Sequence, residues 1–336
     1  MNQSLLNDNI ITEVRKDNCI DFLRYFFATF LIISHFCTLT ETANSATQLT
    51  GGMRVKAFFV ITGFLVTYSF VRGGYNLHVY ARKRIARIVP AYIVAIALCV
   101  VLGACMSSLQ LHEFLSAPAT WHYTIANMLM LNWLEPCLPG VFEDNFIHPI
   151  NGSLWTMKVE CIFYVAVPAL VWVMRKSHKM WIIAPMTLVC LCFYSNMPKQ
   201  LMYSMYFLGG MVVLLYLDAF MRHKYTLMVV ACLCEVLLYT HALPCLNGLL
   251  HSLEPFTFAT IIVFIAYNVR PLNFMRKYDN ITYGMFLYHW PVIQALVAFG
   301  LHRHSLGMCF VATVLITVTL AFISWKCIEQ PLMSRK

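Results

Sequence analysis

The sequence predicts an all-α fold, a polytopic membrane bundle of about ten helices with both termini in the cytoplasm. Three observations predict it. The 336 residues are 60% hydrophobic and 12% charged, whereas a soluble domain carries about 25% charged residues. Mean hydropathy is +0.67. Apolar residues recur in stretches of about 17–23, the length that crosses a hydrocarbon core of about 30 Å. The basic residues are also sorted by side. Arg54, Lys56, Lys199 and Arg303 fall in outer segments and Lys158 lies within a span, which leaves 19 of the 24 in cytoplasmic ones. That bias orients membrane helices. It also accounts for most of the net charge of +9, so nucleic-acid binding is not needed to explain it.

Taken in order, the predicted spans are 20–39, 54–71, 86–106, 152–174, 180–196, 200–217, 225–241, 252–268, 281–300 and 306–327. Trp, Tyr and Pro crowd many of their ends, as interface anchors and helix stops do. The first span exceeds a signal-peptide core, carries charges and lacks a small-residue cleavage site, so it reads as a retained helix. The region 109–150 lies outside, and its apolar run Ile125 to Leu134 is too short to span; it reads as re-entrant or interfacial. No repeat or low-complexity linker divides the chain. The expected organisation is a cytoplasmic tail 1–19, one transmembrane domain 20–332 and a short tail 333–336.

Polar residues inside these spans are the candidates for chemistry, because charge within a bilayer costs about 2.5–3.5 kcal/mol on insertion scales. Arg24 and His35 are eleven residues apart on the first span, hence within about 20° of one face. That spacing fits a polar pathway; it also fits an Arg24 that snorkels and a His35 that bonds a neighbouring helix. Arg84 and Arg87 sit three apart at the cytoplasmic mouth of the third span. Two guanidinium forks so placed suit a phosphorylated ligand, whereas Arg82 and Lys83 fit an ordinary basic collar. On the fourth span Ser153 and Glu160 are seven apart, with Thr156 flanking their face. Glu160 is thereby placed at a depth where it can meet His35, while Lys158 lies off that stripe and reads as structural. No phosphate-binding glycine loop is present.

The thirteen cysteines form no metal-binding framework and read mainly as small buried hydrophobes. Cys137 and Cys245 both fall in outer segments, where a disulfide between them is left open.

Several of these segments together resemble the acyltransferase-3 family of membrane O-acyltransferases. They are Arg24 with His35, Phe58-Phe59-Val60-Ile61-Thr62-Gly63-Phe64, Arg84-Ile85-Ala86-Arg87 running into Pro90, and Ser153-Leu154-Trp155-Thr156 followed by Glu160. Thr282-Tyr283-Gly284-Met285-Phe286-Leu287-Tyr288-His289-Trp290-Pro291 and Glu329-Gln330-Pro331 follow in the family's order. The resemblance spans residues 19–332. It departs at Thr282 and Phe286, where the family usually has Ser and Tyr, and at Arg54-Val55-Lys56, which replaces a common acidic residue. No hydrolase-like domain is expected after the tenth span.

The resemblance implies transfer of an acyl group, usually acetyl, from cytoplasmic acyl-CoA to a hydroxyl of an envelope or secreted glycan or glycolipid. It implies acetyl-CoA as co-substrate with no permanently bound cofactor or metal, and a bacterial cytoplasmic (inner) membrane location; a homo-oligomer stays open. His35 becomes the expected general base, since an imidazole with a pKa near 6.5 takes up a proton near neutrality. Glu160 is expected to orient the imidazole or the acceptor. Arg24, Arg84, Arg87 and His289 are assigned to the donor, with His289 placed toward the cytoplasmic half. Ser153, Thr156 and Tyr283 are assigned to the acceptor or to support. A transporter of an acyl or glycan substrate is the rival reading.

Overall fold

The computed structural model describes residues 14, 18–176 and 199–334. Every regular element among them is helical. These are α1 (Ile20–Leu39), α2 (Ser45–Arg72), α3 (Leu77–Met106), the short α4 (Leu111–Ser116) and α5 (Pro118–Met128). A 3-10 turn, Gly152–Leu154, leads into α6 (Trp155–Lys176). There follow α7 (Lys199–Leu215), α8 (Leu217–Thr240), α9 (Asn247–Asn268), α10 (Thr282–Ala298), α11 (Leu301–His304) and α12 (Leu306–Ser324). A π turn, Trp325–Glu329, and α13 (Gln330–Ser334) complete the series.

Seven stretches of these helices are long and apolar enough to cross a membrane: Ile20–Leu39, Gly51–Arg72, Leu77–Met106, Gly152–Lys176, Leu217–Thr240, Pro244–Asn268 and Leu306–Met333. The protein is a multi-pass membrane protein. The sequence predicts ten spans over the whole chain. Of the other three, 180–196 lies outside the described residues, while 200–217 and 281–300 correspond to α7 and α10. Each of these is 17 residues long, a rise of about 26 Å.

Two helices begin well before their apolar cores, and asparagine caps are the reason. The Asn44 side chain accepts the backbone N–H of Thr47 at 2.9 Å while the Thr47 hydroxyl accepts that of Asn44. Asn76 likewise accepts from the backbone of Val79 at 3.0 Å. Each cap satisfies donors that a helix start leaves orphaned. The basic run from Arg82 to Arg87 therefore lies inside α3 rather than on a loop before it.

The chain packs as two compact units, one drawn from residues 1–27, 52–80 and 162–277 and the other from 28–51, 81–161 and 278–336. In the first, α2 and α7 cross with their backbones in contact. A Cβ at Gly63 would overlap the Phe207 carbonyl, and one at Gly210 would overlap that of Val60. Small residues that allow such approach favour helix association where water supplies no driving force. Phe163 stacks on Phe207 at 4.2 Å between centroids beside this crossing. A buried ion pair joins Lys56 of α2 to Glu254 of α9.

In the second unit α10 packs on α12. Phe36 and Leu39 of α1 join Trp290, Ile293 and Val297 of α10 and Cys309 of α12 in one buried cluster. The apolar run Ile125 to Leu134 begins inside α5, which ends at Met128. It turns at Met130, whose φ is +61°, and Asn127 ties the turn down by donating to the carbonyls of Tyr123 and Glu135 at 2.9 Å. Tyr92 of α3 donates in turn to the Asn127 carbonyl at 3.0 Å. Trp121, Ile125, Leu129 and Trp133 stay exposed along this segment.

Candidate active site

Pro291 sits inside α10. It has no N–H, so the carbonyl of Leu287, four residues earlier, loses its helical donor. Asn151 fills the gap: its Nδ2 donates to the Leu287 carbonyl at 2.9 Å. The Ser153 hydroxyl donates to Asn151 Oδ1 at 2.7 Å, which fixes the amide. Gly152 lies between them against the Trp290 ring, and a Cβ there would approach the ring to 2.5 Å. The same loop is held further along. Trp290 Nε1 donates to the Pro149 carbonyl at 3.1 Å, Gln294 Nε2 donates to it at 2.9 Å, and Asn145 Nδ2 donates to Gln294 Oε1 at 2.8 Å. Asn145, Asn151, Ser153, His289 and Gln294 are all buried. The network thus rigidifies one face of α10.

Beside that face, His289 Nδ1 lies 2.9 Å from the Met285 carbonyl. A carbonyl only accepts, so Nδ1 carries the proton, and in the neutral ring Nε2 is the acceptor. His289 Nε2 is 2.7 Å from His35 Nδ1. His35 Nδ1 is then the donor, and the lone pair of His35 lies on Nε2. The hydrogen bonds thus set both tautomers. The imidazoles are nearly parallel, 11° apart with centroids 5.0 Å apart, and the Trp290 ring meets His35 edge-on at 4.8 Å. His289 is fully buried while His35 is partly accessible.

This pairing revises one depth read from the sequence. His289 is expected nearer the cytoplasmic side than His35, yet a hydrogen bond holds the two rings at one level. Counting residues from span ends assumes equal lengths and tilts, and α10 is only 17 residues long against 20 for α1.

The other candidates are distributed as follows. Glu160 and Thr156 are buried one turn apart on α6. Ser153 precedes that helix on the 3-10 turn, so the Ser153–Glu160 stripe is interrupted at its first member. Arg84 and Arg87 are half-buried on α3, whereas Arg82 and Lys83 are exposed. The Tyr283 hydroxyl of α10 donates to the carbonyl of Ile88 at 3.1 Å, next to Arg87. Arg24 lies 3.7 Å from Asp21 on α1. Lys158 places its ammonium 5.6 Å from the Trp133 ring centroid, a structural cation–π contact. Glu329, buried on the π turn, accepts from the Ser324 hydroxyl at 3.1 Å. Cys137 and Cys245 are free thiols.

Sequence reasoning gives no role to Asn145, Asn151, Trp290 or Gln294. Two signals could have found them. A proline within an apolar span calls for a donor to the freed carbonyl, and amides such as Gln294 inside such a span need partners.

A multi-pass membrane enzyme with a histidine pair, one member buried and anchored on a backbone carbonyl, is the class these features define. The chain belongs to the acyltransferase-3 family, whose profile, described as an acyltransferase domain, matches residues 17–326; it is an acyltransferase. It is similar to an O-acetyl transferase of Shigella phage Sf6, 24% identical over 345 residues that cover 96% of this chain and 98% of that protein. It is also similar to nodulation protein 10 of Rhizobium leguminosarum bv. viciae, 25% identical over 347 residues that cover 94% and 93% of the two chains. No solved structure matches it.

Proposed function

We propose that the protein transfers an acetyl group from acyl-CoA to a hydroxyl of an envelope or secreted glycan, with His35 as the general base. The observation that carries this reading is the 2.7 Å contact of His35 Nδ1 with His289 Nε2, itself anchored on Met285. It leaves His35 Nε2 with the lone pair. In the reaction, Nε2 takes the proton of the acceptor hydroxyl as its oxygen attacks the thioester carbonyl. The C–O bond forms, the C–S bond breaks, and the proton passes from His35 to the departing thiolate. While His35 is doubly protonated, its Nδ1–H points at the His289 lone pair, which supports the positive charge. A buried aspartate performs this orienting role beside a serine-protease histidine. His289 is here a positioning residue.

The donor's phosphates are assigned to Arg84 and Arg87, the half-buried members of the basic run, and planar guanidinium forks bind phosphate in bidentate fashion. Tyr283 supports that segment of α3 from α10. Arg24 keeps its donor assignment on sequence grounds. Ser153 supports the loop through Asn151, and Glu160 and Thr156 remain candidates for contact with the acceptor. The family resemblance and the printed name of the phage relative support acetyl as the group moved. The charge asymmetry supports a cytoplasmic donor, an outward acceptor and a cytoplasmic-membrane location. Purified protein in liposomes, given acetyl-CoA labelled in its acetyl group and an envelope glycan fraction, is expected to deposit label on glycan hydroxyls as base-labile ester. Label that crosses the bilayer without becoming esterified would favour a transporter instead.

A further inference from the structure

We propose that a cavity at the outer end of the second unit is the docking site for the non-reacting part of the acceptor, and that it selects neutral oligosaccharides over acidic ones. The inference rests on the glycan-acylation reading and goes beyond it by naming the acceptor's charge and minimum size. The cavity has a volume of about 820 Å³ and lies where α3 and α10 end and the loop before α6 begins. Its walls include Ser107, Ser108, Glu143, Asp144, Phe299 and Arg303. It is outer by the charge sorting of the sequence, opposite the basic mouth assigned to the donor.

Three features match a carbohydrate. Glu143 and Asp144 offer carboxylate acceptors, Arg303 offers a donor fork, and the Ser108 hydroxyl can do either, which suits hydroxyls that both donate and accept; the Ser107 hydroxyl donates to the Pro139 carbonyl at 2.8 Å. Phe299 is 72% exposed at the rim and offers a flat apolar surface to the C–H face of a sugar ring. The charged groups are also not consumed by one another: among the described residues Glu143, Asp144 and Arg303 form no ion pair. Two carboxylates against one guanidinium leave the cavity net negative, so a uronate or other acidic sugar would be repelled.

The cavity is physically joined to the histidine pair. Asn145 lines it and donates to Gln294, which shares the Pro149 carbonyl with Trp290, and Trp290 meets His35. Val297, another wall residue, packs in one cluster with Trp290. Val297 lies eight residues beyond His289 on α10, about 12 Å along the axis. That span exceeds one sugar ring, so a glycan gripped in the cavity must have more than one unit to place a hydroxyl at His35.

The test uses the full-length protein in nanodiscs, with neutral hexose oligosaccharides of one to four units and hexuronate oligosaccharides of the same lengths as probes. Acyl-CoA affinity is measured in parallel. The neutral series is expected to bind, tightening from one unit to three, with hexuronates at least tenfold weaker. Phe299→Ala and Asp144→Ala should each weaken neutral binding about tenfold with acyl-CoA affinity within twofold of the parent. Glu143→Lys with Asp144→Lys should turn the preference toward hexuronates. Equal or tighter hexuronate binding by the parent protein, no neutral binding at all, or variants that bind like the parent would each overturn the proposal. A parent protein that fails to bind acyl-CoA would count against the acyl-transfer reading, whatever the glycan result.

Discussion

At the scale of residues, the imidazole of His35 has Nδ1 committed to His289 and its lone pair on Nε2. This division is what distinguishes a base from a histidine that serves only as glue between helices. His289 is tied to a backbone carbonyl, so its tautomer is fixed by the fold. Replacing it by Ala removes the acceptor for His35 Nδ1 and frees that ring to rotate; turnover is expected to fall about 10²-fold, at the low end for a disturbed general base. Gln can both donate to the Met285 carbonyl and accept from His35, so His289→Gln should recover most of the loss and keep the pH profile of the parent. The check is kcat against pH for the two variants, with donor affinity unchanged. Equal losses for Ala and Gln would reduce His289 to a space-filler. Both histidines are legible in the sequence as costly polar groups in apolar spans. Their contact is not, because it joins residues 254 apart in the chain and depth counted from span ends places them at different levels.

Among the elements, apolar stretches locate the helices but not their starts. Asn44 and Asn76 extend α2 and α3 by hydrogen bonds that hydropathy ignores, so the expected starts at 54 and 86 fall inside helices that begin at Ser45 and Leu77. The Ser153–Glu160 stripe fails for a related reason. Seven residues keep one face only in an unbroken helix, and Gly152 and Ser153 belong to a turn shaped by the Trp290 ring. Arg54-Val55-Lys56 reads from the sequence as a departure at the outer face. Lys56 is instead one half of a buried ion pair with Glu254, each side chain 15% or less exposed. Removing one partner strands the other, at a cost of about 3–5 kcal/mol. Lys56→Met alone should therefore lower the denaturation midpoint clearly, and Lys56→Met with Glu254→Leu should regain most of it. The comparison is thermal unfolding in one detergent; a double variant as unstable as the single would show that the pair itself, and not an abandoned charge, supports α2 against α9.

For the whole molecule, composition and charge sorting read the class directly, because a bilayer imposes length and sidedness on every span. The same rules do not set the number of helices, since α7 and α10 are near the lower limit of length and gain support from packing. From the sorting of basic residues, both termini are expected in the cytoplasm and the 107–151 segment outside. Accessibility of tags placed at each terminus and after Gly140 is expected to follow that pattern, and a C-terminus found outside would remove the two-sided arrangement of donor and acceptor. The central claim is that His35 removes the acceptor's proton. Its most direct test is turnover of purified His35→Ala with saturating acetyl-CoA, read beside donor affinity. Turnover is expected to fall 10²–10⁴-fold, the usual cost of a missing base, with donor affinity and folding retained; near-normal turnover in the folded variant would contradict the account.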